Sequence, residues 1–222
     1  MNEPETIAII GLFGPSVTNA VQQIVGPTAQ DLGTFIRDNV HSLGMKVSRI
    51  LKEKKAETHP VSPAIGIPLL RHAVLQDDED MQELWAQLLA TAATDSNSIH
   101  PGFAEVLKQL TPDEARKLSH LYDVTAQPSN QVHFDESLQS YAKWRPALDS
   151  FQRHWLLTLD MNTFTPSSDY TSLVYEYKPL QRISTFPGPI MRVYTFTQFG
   201  IAFMRACTGK EPGTTPRKPY IS

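Results

Sequence analysis

The amino-acid sequence predicts a mainly α-helical protein whose C-terminal half is a winged-helix-like α+β module with a small β-hairpin or sheet. Apolar residues recur at steps of three and four along most of residues 30–125, which is the pattern of amphipathic helices. Two later stretches, 158–164 and 190–197, alternate apolar and polar residues as half-buried strands do. The order helix, turn, helix, strand, long connection and strand is that of a winged helix, whose wing is a β-hairpin.

Composition places the chain among ordinary globular proteins. Its 222 residues suit one large domain or two small ones, and contents of 41% hydrophobic and 19% charged residues argue against general disorder. The lone cysteine cannot form an internal disulfide, and the N-terminus lacks the order of regions found in a secretory signal peptide. We therefore expect a cytoplasmic protein.

Residues 1–57 are predicted to form an N-terminal amphipathic helical region. Its most apolar part, residues 6–27, is broken by two glycines and a proline, so it is a poor candidate for a membrane span. We expect this part to be buried in a helical hairpin or in a contact between identical subunits, and membrane contact is the less favoured alternative. An apolar stripe from Leu32 to Leu51 then predicts a helix with basic residues at its C-terminal end.

A proline-rich linker is predicted over residues 58–68, where three prolines and a glycine should stop regular structure. A central helical segment, residues 69–110, follows this linker. Within it, apolar steps from Met81 to Ala92 predict one helix, and a shorter stripe after Pro101 predicts another.

Four consecutive acids precede the helix at Met81 and allow three interpretations: they are Asp77, Asp78, Glu79 and Asp80. A metal site or a general acid/base pair needs groups that converge from several elements, whereas four sequential side chains spread around a helix axis. Carboxylates in a first helical turn instead accept hydrogen bonds from free backbone N–H groups and favour the positive end of the helix dipole. We therefore predict a helix start, with His72 and His100 as packing or capping residues.

The winged-helix-like module is predicted over residues 111–209. Its first helix should begin at the capping box formed by Thr111 and Glu114, with Pro112 at the first helical position. A loop is predicted over residues 125–136.

Later in this module, helical patterns resume at about Ser137, and Pro146 is predicted to open another short helix before the first strand. The connection between the strands, residues 165–188, is too long for a tight turn and is interpreted as an insertion in the wing. A final helix ends by Gly209, and residues 210–222, which contain three prolines, are predicted to be a disordered tail or a strap on a neighbouring molecule.

Residues 68–118 resemble the central signature of the Abi-alpha family, bacterial proteins named for abortive infection of phage-infected cells. The resemblance is carried by an apolar "P-LL" start, an acidic turn, "LW-LLA", an "HP-F" turn and "LK-L-P-EA". A "GP-A-LG" segment at residues 26–33 and "Y-T-FG-FM-AC" at residues 194–207 also fit the family. The resemblance implies a role in phage defence by an intracellular protein without an assigned reaction.

No catalytic motif is found in the sequence. Neither a G-x-S-x-G turn nor a phosphate-binding G-x-x-x-x-G-K-[ST] or G-x-G-x-x-G loop occurs. Cys207 lies at the end of an apolar helical stripe, which favours a small buried hydrophobe over a reactive thiolate. We expect no catalytic, cofactor-binding or metal-binding residues, although a carboxylate centre built from distant acids stays open.

Charge is distributed unevenly along the chain. Residues 1–142 carry 10 basic and 18 acidic side chains, a balance of −8, and residues 143–222 carry 10 basic and 5 acidic, a balance of +5. Such asymmetry is compatible with a nucleic-acid surface, and equally with docking between parts of one protein or neighbouring subunits.

Two binding functions follow from these observations. The favoured one is a defence protein that self-associates as a homo-oligomer or contacts a protein partner; the alternative is a winged-helix regulator that binds DNA. If Pro146 to Trp155 were the third helix of a winged helix, basic residues at or near this helix and on the wing would contact phosphates. These residues are Lys143, Arg145, Arg153, His154, Arg182 and Arg192.

Overall fold

The structure is a computed structural model that describes residues 30–125, 129–135, 139–160, 191–213 and 220–221. These residues form mainly helices and one small sheet, as the sequence predicts. The helices are α1 (Gln30–Lys54), α2 (Pro63–Ala73), α3 (Glu79–Thr94), α4 (Gly102–Gln109), α5 (Pro112–Val124), α6 (Gln139–Arg153) and α7 (Gln198–Thr208), with a 3-10 turn at Ser96–Ser98. The strands are β1 (Gln131–Asp135), β2 (Leu157–Asp160), β3 (Met191–Phe196) and β4 (Tyr220–Ile221).

The chain divides into two compact units. The first unit comprises Met1–Ser119 and Ala202–Glu211. Within it α1 and α2 pack against α3. The predicted apolar stripe of α3 is confirmed, because Met81, Trp85, Leu88, Leu89 and Ala92 are buried and Leu84 is half-buried. The stripe of α1 is confirmed at Ile36, Leu43, Val47 and Ile50, which are buried, whereas Phe35 is 37% exposed.

The second unit comprises His120–Ile201 and Pro212–Ser222, and it contains the sheet. The strand order is β2-β3-β1-β4, with β3 antiparallel to both β2 and β1 and with β4 parallel to β1. Aromatic rings fill its interior: the ring centroids of Phe134 and Tyr194 lie 5.7 Å apart, and the Tyr141 and Tyr194 hydroxyls share a 3.1 Å hydrogen bond. Burial raises the pKa of Tyr194, as does that hydrogen bond.

The predicted capping box at the start of α5 is confirmed. The backbone N–H of Thr111 donates to Glu114 Oε2 at 2.8 Å, and the backbone N–H of Glu114 donates to Thr111 Oγ1 at 3.2 Å. Two donors that a helix start leaves without intrahelical partners are therefore satisfied. The buried face of α5 is also the predicted one: Ala115, Leu118, Leu121 and Tyr122.

Prolines interrupt helices less than the sequence predicts. α2 begins at Pro63, inside the stretch interpreted as a linker, and continues through Pro68. Proline suits the first helical position, and burial of Leu69 and Leu70 offsets the hydrogen bond that Pro68 cannot donate. The predicted resumption of helix near Ser137 is confirmed by α6, which begins at Gln139, but the separate helix start at Pro146 is wrong, since α6 runs through this proline.

The predicted loop at residues 125–136 is wrong over Gln131–Asp135, which form β1. Val132 and Phe134 are buried, and the strand pairs with β3 in the register Val132↔Tyr194 and Phe134↔Arg192. Five residues are too few for a strong alternating pattern, so distant pairing partners decide this strand.

Other predictions meet the structure only in part. A helix-turn-helix contains two helices joined by a short turn. The described residues between β1 and β2 form a single helix, α6, so the winged helix stays a prediction. Residues 6–27 and 165–188 lie outside the described residues. In the predicted disordered tail, Tyr220–Ile221 form β4, where pairing with β1 supplies partners for their backbone groups. No helix in the described part of the chain has the length and apolar character needed to cross a bilayer.

Candidate functional site

A tryptophan is presented to solvent directly after α6. We call residues 154–156, which are His154, Trp155 and Leu156, the Trp155 turn. Trp155 is 73% exposed, the largest exposed fraction among the large hydrophobic residues that the structure describes. Tryptophan is highly buried on average in folded proteins. The exposure of this indole therefore makes the turn the leading candidate for a binding surface.

The backbone of the Trp155 turn closes α6 as a Schellman motif. The N–H of Leu156 donates to the carbonyl of Phe151 at 2.9 Å, and the N–H of Trp155 donates to that of Gln152 at 3.0 Å. Trp155 therefore occupies the position after the helix where a left-handed residue, usually glycine, is needed. Its φ of 58° lies in that region. A residue with a Cβ atom pays roughly 1–2 kcal/mol for this conformation.

Thr197 fixes the Trp155 turn against the start of α7. Its Oγ1 donates to the carbonyl of Trp155 at 2.5 Å, and its backbone N–H donates to the carbonyl of Leu156 at 3.0 Å. The same Oγ1 accepts a hydrogen bond from the N–H of Gly200 at 2.8 Å, so Thr197 is also the N-cap of α7. The turn is thus held by both the side chain and the backbone of one residue.

Gly200 lets the start of α7 approach the Trp155 turn closely. A Cβ atom at Gly200 would lie 2.2 Å from the carbonyl oxygen of Leu156, which is shorter than any ordinary contact. Only glycine fits there without a shift of the backbone. Thr197 and Gly200 belong to the predicted "Y-T-FG" segment, and their structural role is to hold the turn that carries Trp155.

The predicted basic residues are distributed over α6, the turn and β3. Lys143, Arg145 and Arg153 are exposed on α6, while His154 and Arg192 are partly exposed. Arg182 lies outside the described residues. Arg145 and Arg153 make no ion pair within the part of the chain that the structure describes. Asp149 is also exposed on α6. The exposed side chains of α6 therefore have a modest positive net charge and are not uniformly positive.

The acidic stretch of the first unit has a different role, because it starts α3. Asp78 accepts a hydrogen bond from the N–H of Met81 at 3.0 Å as the N-cap of α3, which confirms the predicted helix start. That hydrogen bond is the main cause that lowers the pKa of Asp78. Arg116 lies 3.1 Å from Asp80 and 3.3 Å from Asp78, so part of the acidic charge is neutralised.

A buried amide next to these acids is fully hydrogen-bonded. Oε1 of Gln82 accepts from Ser42 Oγ and from Lys46 Nζ, both at 3.0 Å. Its Nε2 donates to Asn39 Oδ1 at 3.3 Å and to the carbonyl of Gln76 at 2.8 Å. Since an amide side chain has two donor hydrogens and two acceptor lone pairs, no bonding capacity is left for a ligand. This cluster fixes α1 on α3 and is structural.

Histidine and cysteine side chains also have local roles. His100 Nδ1 accepts from the N–H of Gly102 at 3.0 Å and so caps α4, as predicted. His72 packs 6.2 Å from the ring of Trp85 and 3.9 Å from Glu105, and burial lowers its pKa. Cys207 is buried, which raises the pKa of its thiol and disfavours the thiolate. Within the described ranges no three His, Cys, Asp or Glu side chains are grouped to hold a metal ion.

A model of the family described as "Abortive infection alpha" matches residues 37–154, which is more than half of the chain. The chain belongs to the abortive infection alpha family. The resemblance predicted from the sequence is therefore confirmed, and membership implies a role in abortive-infection defence against phage. Comparisons with curated proteins and with solved structures gave no match.

The matched region of this abortive infection alpha protein extends from α1 to the end of α6. Trp155 is the first residue after it, and Thr197 and Gly200 lie further along the chain. The family match therefore includes α6, whose C-terminal end is followed by Trp155. It does not include Thr197 and Gly200, which hold the Trp155 turn.

Sequence reasoning missed Trp155 as a candidate binding residue. It singled out the basic neighbours, Arg153 and His154, because basic residues on a predicted recognition helix suggest phosphate contacts. The sequence did contain a signal: between the predicted helix and the predicted strand, the chain has a tryptophan and no glycine. That signal gains meaning only when the backbone conformation and the exposure of Trp155 are known.

Proposed function

We propose that this abortive infection alpha protein acts by binding another protein molecule through the Trp155 turn, without catalysing a reaction. The observation that carries the proposal is the exposed, left-handed Trp155, held in place by Thr197 and Gly200. Strained backbone conformations persist where the surrounding structure fixes them, and they are concentrated at functional sites.

The chemistry of the side chain supports a protein partner. Tryptophan is one of the residue types enriched among those that contribute much of the binding free energy at protein interfaces. It offers a large rigid surface and has few rotatable bonds to immobilise. The hydrogen bonds to Thr197 order the turn before binding, which reduces the entropy lost when a complex forms.

The test is phage challenge of bacteria that express the full chain together with its neighbouring genes. Trp155→Ala should abolish protection while the melting temperature of the purified protein stays within a few degrees of wild type. Met45→Ala is the matched control, because Met45 is a large hydrophobic residue that is 48% exposed on α1, in the first unit. Met45→Ala should protect as wild type does. Full protection by Trp155→Ala would refute the proposal.

Duplex DNA binding is the second candidate function, and the exposed basic residues Lys143, Arg145 and Arg153 on α6 favour it. A set of phosphate contacts gives an affinity that falls steeply as salt concentration rises. Titration of labelled duplex with the wild-type protein at several salt concentrations separates the two functions. Tight binding with a steep salt slope, weakened by Arg145→Gln and Arg153→Gln, would favour the DNA regulator over the protein contact.

A further inference from the structure

We infer that the partner at the Trp155 turn is a second copy of this chain, which docks there with the corner between α2 and α3. We call residues 75–77, which are Leu75, Gln76 and Asp77, the Leu75 corner. This inference rests on the proposed function and names its partner. It predicts a head-to-tail contact in which two different surfaces of the same chain meet.

The Leu75 corner presents an apolar side chain on a fixed backbone. Leu75 is 49% exposed, so it is one of four large hydrophobic residues that are exposed among the described residues. Gln76 fixes the corner, because its Oε1 accepts from the N–H groups of Asp77 and Asp78 at 3.0 and 3.1 Å. From α1, Asn39 Nδ2 donates to the carbonyls of Val74 and Gln76 at 3.1 and 3.0 Å. Both surfaces are thus ordered before they meet.

The charges beside the two exposed hydrophobic residues are opposite. Leu75 is followed by acids: Asp77 is exposed and makes no ion pair within the described residues, and the Glu79 side chain is 82% exposed although it pairs with Lys46. Trp155 is preceded by Arg153, which is exposed and makes no ion pair within those residues. Opposite potentials across an interface steer association and select the orientation in which the two surfaces meet.

Leu75 is exposed in the first unit, and Trp155 is exposed in the second. The chain itself supplies a surface complementary to the Trp155 turn, because Leu75 is an exposed apolar residue with acids beside it and Trp155 is one with Arg153 before it. A contact between two different surfaces leaves one of each free at the ends of a dimer, and assembly then continues to a ring or a filament.

The decisive experiment mixes two full-length variants and measures mass by light scattering and sedimentation. Trp155→Ala removes one surface, and Leu75→Ala removes the other. Each variant alone should have the mass of the double variant Trp155→Ala/Leu75→Ala, which sets the baseline for any other association. The equal mixture should form a complex of one copy of each and grow no further, because it contains a single intact pair of surfaces. Met45→Ala should assemble as wild type does.

Charge reversal supplies a second measurement. Asp77→Arg and Arg153→Glu should each weaken association roughly tenfold or more, and the two changes in one chain should restore it. Salt should weaken the wild-type association. A mixture that stays at the baseline mass, or a double reversal that does not restore assembly, overturns the inference. If Trp155→Ala also loses phage protection in that case, the proposed function stands with a different protein as partner; if it keeps protection, both fail.

Discussion

Trp85 and Trp155 have the same side chain but lie in opposite environments, one buried and one exposed to solvent. Trp85 is 1% exposed on α3, within the core of the first unit, and α3 has ordinary helical backbone around it. Trp155 is 73% exposed and has a left-handed backbone in the second unit. The contrast indicates that Trp85 stabilises the fold, whereas Trp155 adds little buried surface to it and has a strained backbone.

The two regions also differ in the polarity of the side chains that they bury and expose. In the region of α3, a polar side chain that would be costly to bury, Gln82, has four hydrogen-bond partners. At the Trp155 turn, an apolar side chain that would be favourable to bury is left in water. A buried polar group with every partner present is accounted for by folding alone, and an exposed, strained aromatic residue is not.

Three helix ends show why strain alone does not mark a binding surface. Gly209 directly follows α7; its φ is 68°, and its N–H donates to the carbonyl of Arg205 at 2.8 Å. Lys55 directly follows α1, with a φ of 49°, and its side chain is solvated as lysine usually is. Of the left-handed residues that the structure describes, only Trp155 also exposes a large apolar surface. The conjunction of the two features carries the inference of binding.

The largest expected effect separates the two tryptophans. Trp85→Ala should lower the free energy of unfolding by roughly 3–5 kcal/mol, because it leaves a cavity in the core. Trp155→Ala should change it by less than about 1 kcal/mol, since little buried surface is lost. Urea unfolding followed by circular dichroism measures both values. Equal destabilisation by the two variants would show that Trp155 is a core residue.

The next effect tests how tightly the Trp155 turn is held. Gly200→Ala should lower the free energy of unfolding by roughly 1–3 kcal/mol, because the new Cβ atom meets the backbone of Leu156. Gly209→Ala is the comparison: its Cβ would meet only the flexible Gln87 side chain, at 3.1 Å, although the left-handed backbone adds strain. We expect a smaller loss of unfolding free energy for Gly209→Ala than for Gly200→Ala. The tryptophan fluorescence of Gly200→Ala, to which Trp85 and Trp144 also contribute, should shift through Trp155, and an unchanged spectrum with unchanged stability would contradict the close approach.

A third effect tests the buried amide on the α3 side. Gln82→Leu should lower the free energy of unfolding by roughly 1–3 kcal/mol, because Asn39 and Ser42 lose a buried partner. Glu83→Gln is the neighbouring control: Glu83 pairs with the exposed Arg49, and such surface pairs contribute roughly 0–1 kcal/mol. Thermal melting of both variants decides the order. A larger loss for Glu83→Gln would show that the amide cluster is not what fixes α1 on α3.

The smallest expected effect has the opposite sign. Trp155→Gly should raise the free energy of unfolding by up to about 1 kcal/mol, because glycine adopts the left-handed conformation without a Cβ clash. The same variant should lose phage protection together with the indole. A gain in stability accompanied by a loss of function separates a binding residue from a structural one. A destabilised variant would mean that the indole contributes to folding.

Much of the first unit and the start of α5 could be predicted from the sequence because the signals are local. The stripe of α3 and its acidic N-terminus need only the helical period and the preference of carboxylates for a first turn. The capping box at Thr111 and Glu114 lies within four residues, so no distant contact is needed to form it.

The sequence by itself determined the mainly helical class, the ends of α3 and α5 and the buried faces of the long helices. Tertiary structure decided β1, because its backbone groups find partners only on β3 and β4, far away in sequence. It also decided that α6 continues through Pro146 and that Trp155 turns left-handed at its end. That last feature depends on Thr197 and Gly200, more than forty residues away, whose hydrogen bonds and missing Cβ no local pattern around Trp155 encodes.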